Sequence, residues 1–296
     1  MGLIHEIKTL DPIKFGLHVV TDKDLAGIHS ILLEMLDDIK YVCEKNNIKW
    51  GVSGGCALGA VRHKGFIPWD DDVDIVFPRE EFEKFKKVYP KEGKPEYKLI
   101  CPGEYGYYVH FPRVFNTKTT AELIQDSGSG KGLYIDIFIL ENTYDNTFMR
   151  TLHGIQCTGY LFIISSVITK RQRDKLNKYG SEELKRKVKV RSFFGNIYAY
   201  RKPEDWIAKG IKCFSKVKNK NSKYVVSVTG GGHYFGEIYD RNKMCQYTEL
   251  IYEDRYYPFV ADTNYFCRKR FGDNYMEIPP EDRREKHVYI SLDLYK

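Results

Sequence analysis

Leu25, Ile28, Leu32, Met35, Leu36 and Ile39 recur at intervals of three and four residues. This is one face of an α-helix over 21–46. Thr21 followed by Asp24 is a capping-box-like start for it. The period then shortens to two. Residues 48–53 read as a strand, Gly54-Gly55 as a sharp turn, and 56–61 as a short helix. In the strand that follows, Asp72 and Asp74 alternate with Val73 and Ile75, which go into the core. After Pro78 a helix is expected over 79–88, then strands over 97–101, 107–115 and 133–140. The middle, 145–220, is mostly helical. Its apolar run at 154–169 is shorter than the ~20 residues of a spanning helix and is interrupted by Gln156 and several hydroxyls, so it reads as a buried helix. Strands return at 224–228 and 250–257, and a helix at 262–271. No repeat or low-complexity linker interrupts the chain. The pattern predicts an α+β fold, a mixed sheet with helices packed on it.

One stretch carries chemistry. Asp70, Asp71, Asp72 and Asp74 gather at the mouth of an apolar strand, just after a glycine pair and a basic patch. Unpaired, such carboxylates would repel and raise one another's pKa. A divalent cation such as Mg²⁺, which takes oxygen ligands and usually one or two carboxylates plus substrate phosphates, is the simplest partner. Asp72 and Asp74 share a strand face. Ser53, Gly54 and Gly55 offer backbone N–H groups and a helix N-terminus for a phosphate. A solvated acidic turn before an edge strand is the plain alternative, and the glycine pair upstream argues against it. Asp136 is the one charge in the apolar run LYIDIFIL, where an isolated carboxylate is costly unless it is paired or bound to metal. It is either a salt-bridged core residue or a third member of the site.

The run GGCALGAVRHKGFIPWDDDVDI closely resembles the signature of the LicD family, in the nucleotidyltransferase-like superfamily that also holds fukutin and fukutin-related protein. The segment IYEDRYYPFVADTNYFCRKRFGDNYMEIPPEDRREKH resembles that family's aromatic-rich closing motif. The likeness covers roughly 25–140 and 251–287. It implies a nucleotidyltransferase-like catalytic core over 1–144 and a C-terminal part over 223–296 that completes the substrate site, with a mostly helical insertion over 145–222 between them. It also implies transfer of a phospho-substituent from a CDP-activated donor to a glycan hydroxyl, releasing CMP. In bacterial members that group is typically phosphocholine, from CDP-choline. Asp72, Asp74 and Asp136 would be the catalytic triad and the ligands of a pair of Mg²⁺ or Mn²⁺ ions. Ser53, Gly54, Gly55, Arg62, Lys64 and Arg113 would cover the donor phosphates. Trp69, Asp71, Tyr275 and Glu277, with Asp273 and Pro279, would line the choline or acceptor site; Trp69 is either an ammonium-cage wall or a loop anchor. CDP-ribitol or CDP-glycerol as donor, and nucleotidyl transfer from an NTP to a small acceptor, remain alternatives. A non-enzymatic glycan-binding protein would not need three convergent carboxylates.

Composition narrows the picture further. Of 296 residues, 42% are hydrophobic and 29% charged, as in ordinary globular chains. The net charge of +7 suits an anionic substrate or membrane surface, but no Arg/Lys-rich arm, RNP-like motif or zinc-finger spacing points to nucleic acid. The seven cysteines are widely spaced, odd in number and without C-x-x-C. With no apolar leader at the N-terminus, they suggest reduced thiols in a cytoplasmic protein. His153 and Cys157 can share a helix face, but two ligands do not close a zinc site. In the basic 204–218 segment, Trp206, Ile207, Gly210, Ile211 and Phe214 form a stripe amid lysines. Such a helix either lies on an anionic bilayer, placing the protein at the inner membrane face, or packs on its own protein.

Overall fold

The computed structural model describes residues 7, 10–104, 106–124, 132–284 and 287–295. In chain order the elements are α1 (Asp22–Lys45), β1 (Gly51–Ser53), α2 (Gly54–Arg62), β2 (Asp74–Pro78), α3 (Arg79–Glu92), β3 (Tyr97–Ile100), β4 (Arg113–Asn116), β5 (Thr120–Leu123) and β6 (Tyr134–Asn142). Helices α4 (Thr147–Arg171), α5 (Arg173–Tyr179), α6 (Glu182–Ile197) and α7 (Pro203–Phe214) follow. The chain then continues through β7 (Tyr224–Ser227), α8 (His233–Gly236), β8 (Ile238–Asp240), α9 (Arg241–Met244), β9 (Tyr247–Tyr252), β10 (Arg255–Val260), α10 (Thr263–Phe271) and β11 (Tyr289–Asp293).

The main sheet runs β3-β4-β6-β2-β1-β10-β9, with β7 and then β8 added along the far half of β6. It is mixed: β2 and β6 are parallel, as are β1 and β10, while β1–β2 and β4–β6 are antiparallel. Strands before and after the helical middle therefore share one sheet, an α+β nucleotidyltransferase-like architecture. A small second sheet pairs β11 with β5.

Local chemistry explains the elements that hold the site. Helix α1 starts on the Thr21/Asp24 capping box and buries Ile28, Leu32, Met35, Leu36 and Ile39 on the sheet. Its one buried charge, Asp38, accepts hydrogen bonds from the Tyr89 hydroxyl at 2.8 Å and the Lys94 amide. In α3, Phe82, Phe85 and Tyr89 make a continuous aromatic face against Phe77.

Several elements differ from the sequence reading. The strand expected over 107–115 begins only at Arg113, because Gly103 to Tyr107 closes a hydrogen-bonded turn and Pro112 has no N–H for a ladder. The strand expected over 250–257 is a hairpin of β9 and β10, turning at Glu253 with φ +57°. That turn carries no glycine or proline to announce it. The 154–169 run lies within the longer α4, which is buried along one side only. Phe148, Ile155 and Phe162 are exposed, while Cys157, Leu161, Ile164 and Ile168 join a second core with Trp206, Ile207 and Phe214 of α7. By length and composition alone α4 could cross a membrane. Within the 204–218 stripe, Trp206, Ile207, Gly210 and Phe214 of α7 are buried against the protein, and Ile211 is half-buried.

Candidate active site

Strand register builds the centre of the site. Ser53 pairs with Asp74, Asp74 with Asp136, and Asp136 with Arg113, so four polar residues form one row across β1, β2, β6 and β4. Residues in register project from the same face. Asp72 stands one pleat before Asp74, while Val73 and Ile75 between and beyond them are fully buried. Gly54 follows Ser53 with φ +57°, a conformation costly for any other residue. A Cβ at Gly54 would overlap the Asp74 carboxylate, and one at Gly55 would come within 2.6 Å of Asp70 Oδ2. The glycine pair is thus dictated by two carboxylates lying against the start of α2, where the helix dipole favours negative charge.

Two basic groups hold the other carboxylates. Arg113 is buried and donates from Nε to Asp136 Oδ1 at 2.5 Å, its guanidinium stacked 3.6 Å from the Tyr134 ring centroid. Burial pushes the Asp136 carboxyl up, Arg113 pulls it back, and the charge of Asp72 adds to the rise. His287 sits between two aspartates, with Nδ1 2.8 Å from Asp71 Oδ1 and Nε2 3.7 Å from Asp72 Oδ2. For the buried Asp71, desolvation works upward, but the charge and hydrogen bond of His287, with help from Tyr289, hold the carboxyl below the usual range.

The set Asp72, Asp74 and Asp136 offers hard oxygen donors on one sheet face, the chemistry Mg²⁺ or Mn²⁺ requires. The three are not drawn into a closed ligand group. Among the described residues, the group whose ligand atoms all lie within 4.8 Å of one another is His153, Cys157 and Cys213 instead.

A cleft enclosing about 470 Å³, part of it open to solvent, runs along the same face. Ser53, Gly54, Gly55 and Asp74 form one end, and Val76, Phe138 and Leu140, alternating along β2 and β6, form its floor. Gly230, Gly231 and Arg270 close the other side, with Arg270 Nε 3.4 Å from Glu237.

The remaining expected site residues fall into two groups. Arg62 lies close to the closing segment: it donates to His63 Nε2 at 2.9 Å and to the backbone oxygens of Tyr275 and Glu277. Tyr275 is buried and donates to Asn264 Oδ1 at 2.6 Å. Trp69 is not an open wall, for the Arg284 guanidinium lies 4.2 Å and that of Arg62 6.0 Å from its ring centroid. Lys64 and Glu277 are exposed, Lys64 at a turn with φ +64°. Arg113, expected on the donor phosphates, is instead buried against Asp136. Sequence reasoning missed His287, Arg284, Arg270 and the Gly230–Gly231 pair. His287 closes the REKH run and the triple glycine at 230–232 was visible as a loop signal, but nothing local linked either to the aspartates.

Residues 47–158 match the family model described as the LicD/FKTN/FKRP nucleotidyltransferase domain. A lipopolysaccharide cholinephosphotransferase, LicD, of Haemophilus influenzae is 32% identical over 113 residues, 38% of this chain and 42% of that protein. An uncharacterized protein of Rickettsia prowazekii is 30% identical over 120 residues, 40% of this chain and 41% of its own. The chain thus spans about two fifths of the length of these relatives. The matched region holds Ser53, the glycine pair, Asp72, Asp74, Arg113 and Asp136, and it is over this region that the chain is similar to the LicD/FKTN/FKRP nucleotidyltransferase domain.

Proposed function

We propose that this protein transfers phosphocholine from CDP-choline to a hydroxyl of a cell-surface glycan or its precursor, releasing CMP. The observation that carries the proposal is the in-register row Ser53–Asp74–Asp136 beside the Gly54–Gly55 turn. The name of the Haemophilus relative supports phosphocholine as the group and a lipopolysaccharide-type glycan as the acceptor.

Asp72 and Asp74, with Asp136, would hold Mg²⁺ or Mn²⁺, which when bound supplies charge neutralisation for a diphosphate and its leaving group. The protein's own part is mostly positioning and electrostatics. Amides at the start of α2 take up a phosphate oxygen. Asp70 and Asp74 lie against the same amides, so phosphate affinity here depends on neutralising them first. Arg270 and the Gly230–Gly231 backbone, across the cleft, face the nucleotide part of the donor. The acceptor hydroxyl attacks the distal phosphorus in line, its proton passing to the Asp136 carboxylate as CMP departs. Asp136 suits this task because Arg113, donating to Oδ1, keeps its carboxylate oriented.

The coverage of Trp69 by Arg284 removes one sequence argument for choline. CDP-ribitol and CDP-glycerol therefore belong in the same assay. The protein is incubated with each CDP donor and with NTPs, with and without Mg²⁺, and the released nucleotide is identified. CMP from CDP-choline in a chelator-sensitive reaction is expected. Pyrophosphate from an NTP would replace the proposal with nucleotidyl transfer, and CMP from an alditol donor alone would overturn the choline assignment.

A further inference from the structure

His153 and Cys157 lie one turn apart on α4, and the tertiary fold brings Cys213, at the end of α7, against them. The His153 Nε2–Cys157 Sγ distance is 3.4 Å and Cys157 Sγ–Cys213 Sγ is 3.9 Å. A tetrahedral zinc ion, with bonds of about 2.3 Å to sulfur and 2.0–2.1 Å to nitrogen, separates two sulfurs by about 3.8 Å and sulfur from nitrogen by about 3.5 Å. Two of the three separations match such an ion, and all three ligand atoms lie within 4.8 Å of one another. A disulfide would need the sulfurs near 2.05 Å, and all three groups are present as free side chains.

The surroundings fit as well. His153 Nδ1 is 3.2 Å from the Tyr234 hydroxyl, which is itself 2.5 Å from Thr143 Oγ1. A proton on Nδ1 donated to Tyr234 leaves Nε2 to face the sulfurs, the outer-shell arrangement that orients metal-bound imidazoles. His153 and Cys157 are buried and Cys213 is half-buried, so solvent reaches the cluster from one side only.

We propose that His153 Nε2, Cys157 Sγ and Cys213 Sγ form a binding site for a thiophilic divalent cation of the zinc class, with water as the fourth ligand. Binding releases both thiol protons to solvent, and the Nε2–H now donated to the Cys213 carbonyl at 2.9 Å gives way to the Nδ1–H tautomer. The ion and two thiolates sum to zero charge, which makes burial tolerable. The site ties the end of α7 to α4 inside the second core. It shares no residue with the aspartate cluster, whose candidate ligands Asp72, Asp74 and Asp136 are carboxylates.

The test uses the full chain, reduced and stripped with chelator, then titrated with Co²⁺ and afterwards with Zn²⁺. Thiolate-to-cobalt charge-transfer absorption reports sulfur ligation and is silent for carboxylates. One equivalent should develop the band and Zn²⁺ should abolish it. Cys157→Ser and Cys213→Ser should each weaken binding by about a hundredfold or more, while Cys245→Ser leaves it unchanged. Because a buried substitution can disturb folding, a second measurement uses the unmodified protein: Zn²⁺ should protect Cys157 and Cys213, and not Cys245, from alkylation mapped by mass spectrometry. Absence of the band at stoichiometric Co²⁺, a band that survives both serine variants, or no protection by Zn²⁺ would each overturn the proposal.

Discussion

Asp136→Asn tests whether the aspartate row is catalytic, structural or both. Asp136 and Arg113 are 11% and 5% exposed at their side chains and joined at 2.5 Å. Removing one partner of a buried ion pair costs about 3–5 kcal/mol, because a charge is left uncompensated. Three features soften that here. The amide oxygen of Asn still accepts from Arg113 Nε, recovering about 1 kcal/mol; the Tyr134 face still holds the guanidinium; and repulsion from Asp72 is relieved. A net loss of about 2–4 kcal/mol follows. At about 2–4 °C per kcal/mol, the value for domains of roughly 150–250 residues, Tm should drop by roughly 4–16 °C. The double variant Arg113→Leu with Asp136→Leu removes both charges and should recover most of that stability, since apolar replacements of buried pairs are often near neutral. Turnover should be nearly abolished in both variants. Thermal denaturation and CMP release, measured on the same preparations, separate the two effects. If Asp136→Asn melts within a degree of the unmodified protein, the pair is not the buried one described; if turnover survives in either variant, Asp136 is a structural residue only.

Other consequences are simpler to read out. The lowered pKa of Asp71 gives a stability contribution that is present above pH ~3.9 and lost as pH falls below it. The Tm difference between the unmodified protein and Asp71→Asn should therefore shrink in acid, and a difference constant from pH 7 to pH 3 would refute the His287 pairing. Gly54→Ala should cost about 1–2 kcal/mol from positive φ alone and lose turnover beyond what its Tm explains, because the new methyl displaces the Asp74 carboxylate; normal turnover would show that carboxylate to be dispensable. Trp69→Ala should release the 275–284 segment, giving faster proteolysis there and similar losses for CMP and CDP-choline binding. Selective loss of CDP-choline with unchanged proteolysis would return Trp69 to the donor site.

Much of the active-site half was legible in the chain. The period-two alternation around Asp72 and Asp74 was enough to put them on one face and Val73 and Ile75 in the core. The Thr21/Asp24 start marked α1, and a lone charge in LYIDIFIL marked Asp136. These are local signals, carried by neighbours within a few residues. The hairpin turn at Glu253 and the late start of β4 were not legible, because their causes are a positive φ at an ordinary residue and a turn closed through the backbone.

Sequence by itself determined the residue types of the site: which carboxylates stand together, the glycine pair upstream of them, and the family domain that 47–158 resembles. Tertiary structure decided what each charge faces. Register across β2, β6 and β4 paired Asp136 with both Asp74 and Arg113, residues 62 and 23 positions away. Docking of the C-terminal segment set His287 between Asp71 and Asp72 and laid Arg284 over Trp69. Packing of α7 on α4 brought Cys213 to His153 and Cys157 across 56 residues. The physical reason is the range of the forces involved. Backbone propensity and alternation act over one or two turns, whereas the partner of a buried charge or thiol is chosen by whichever distant element the hydrophobic core brings against it.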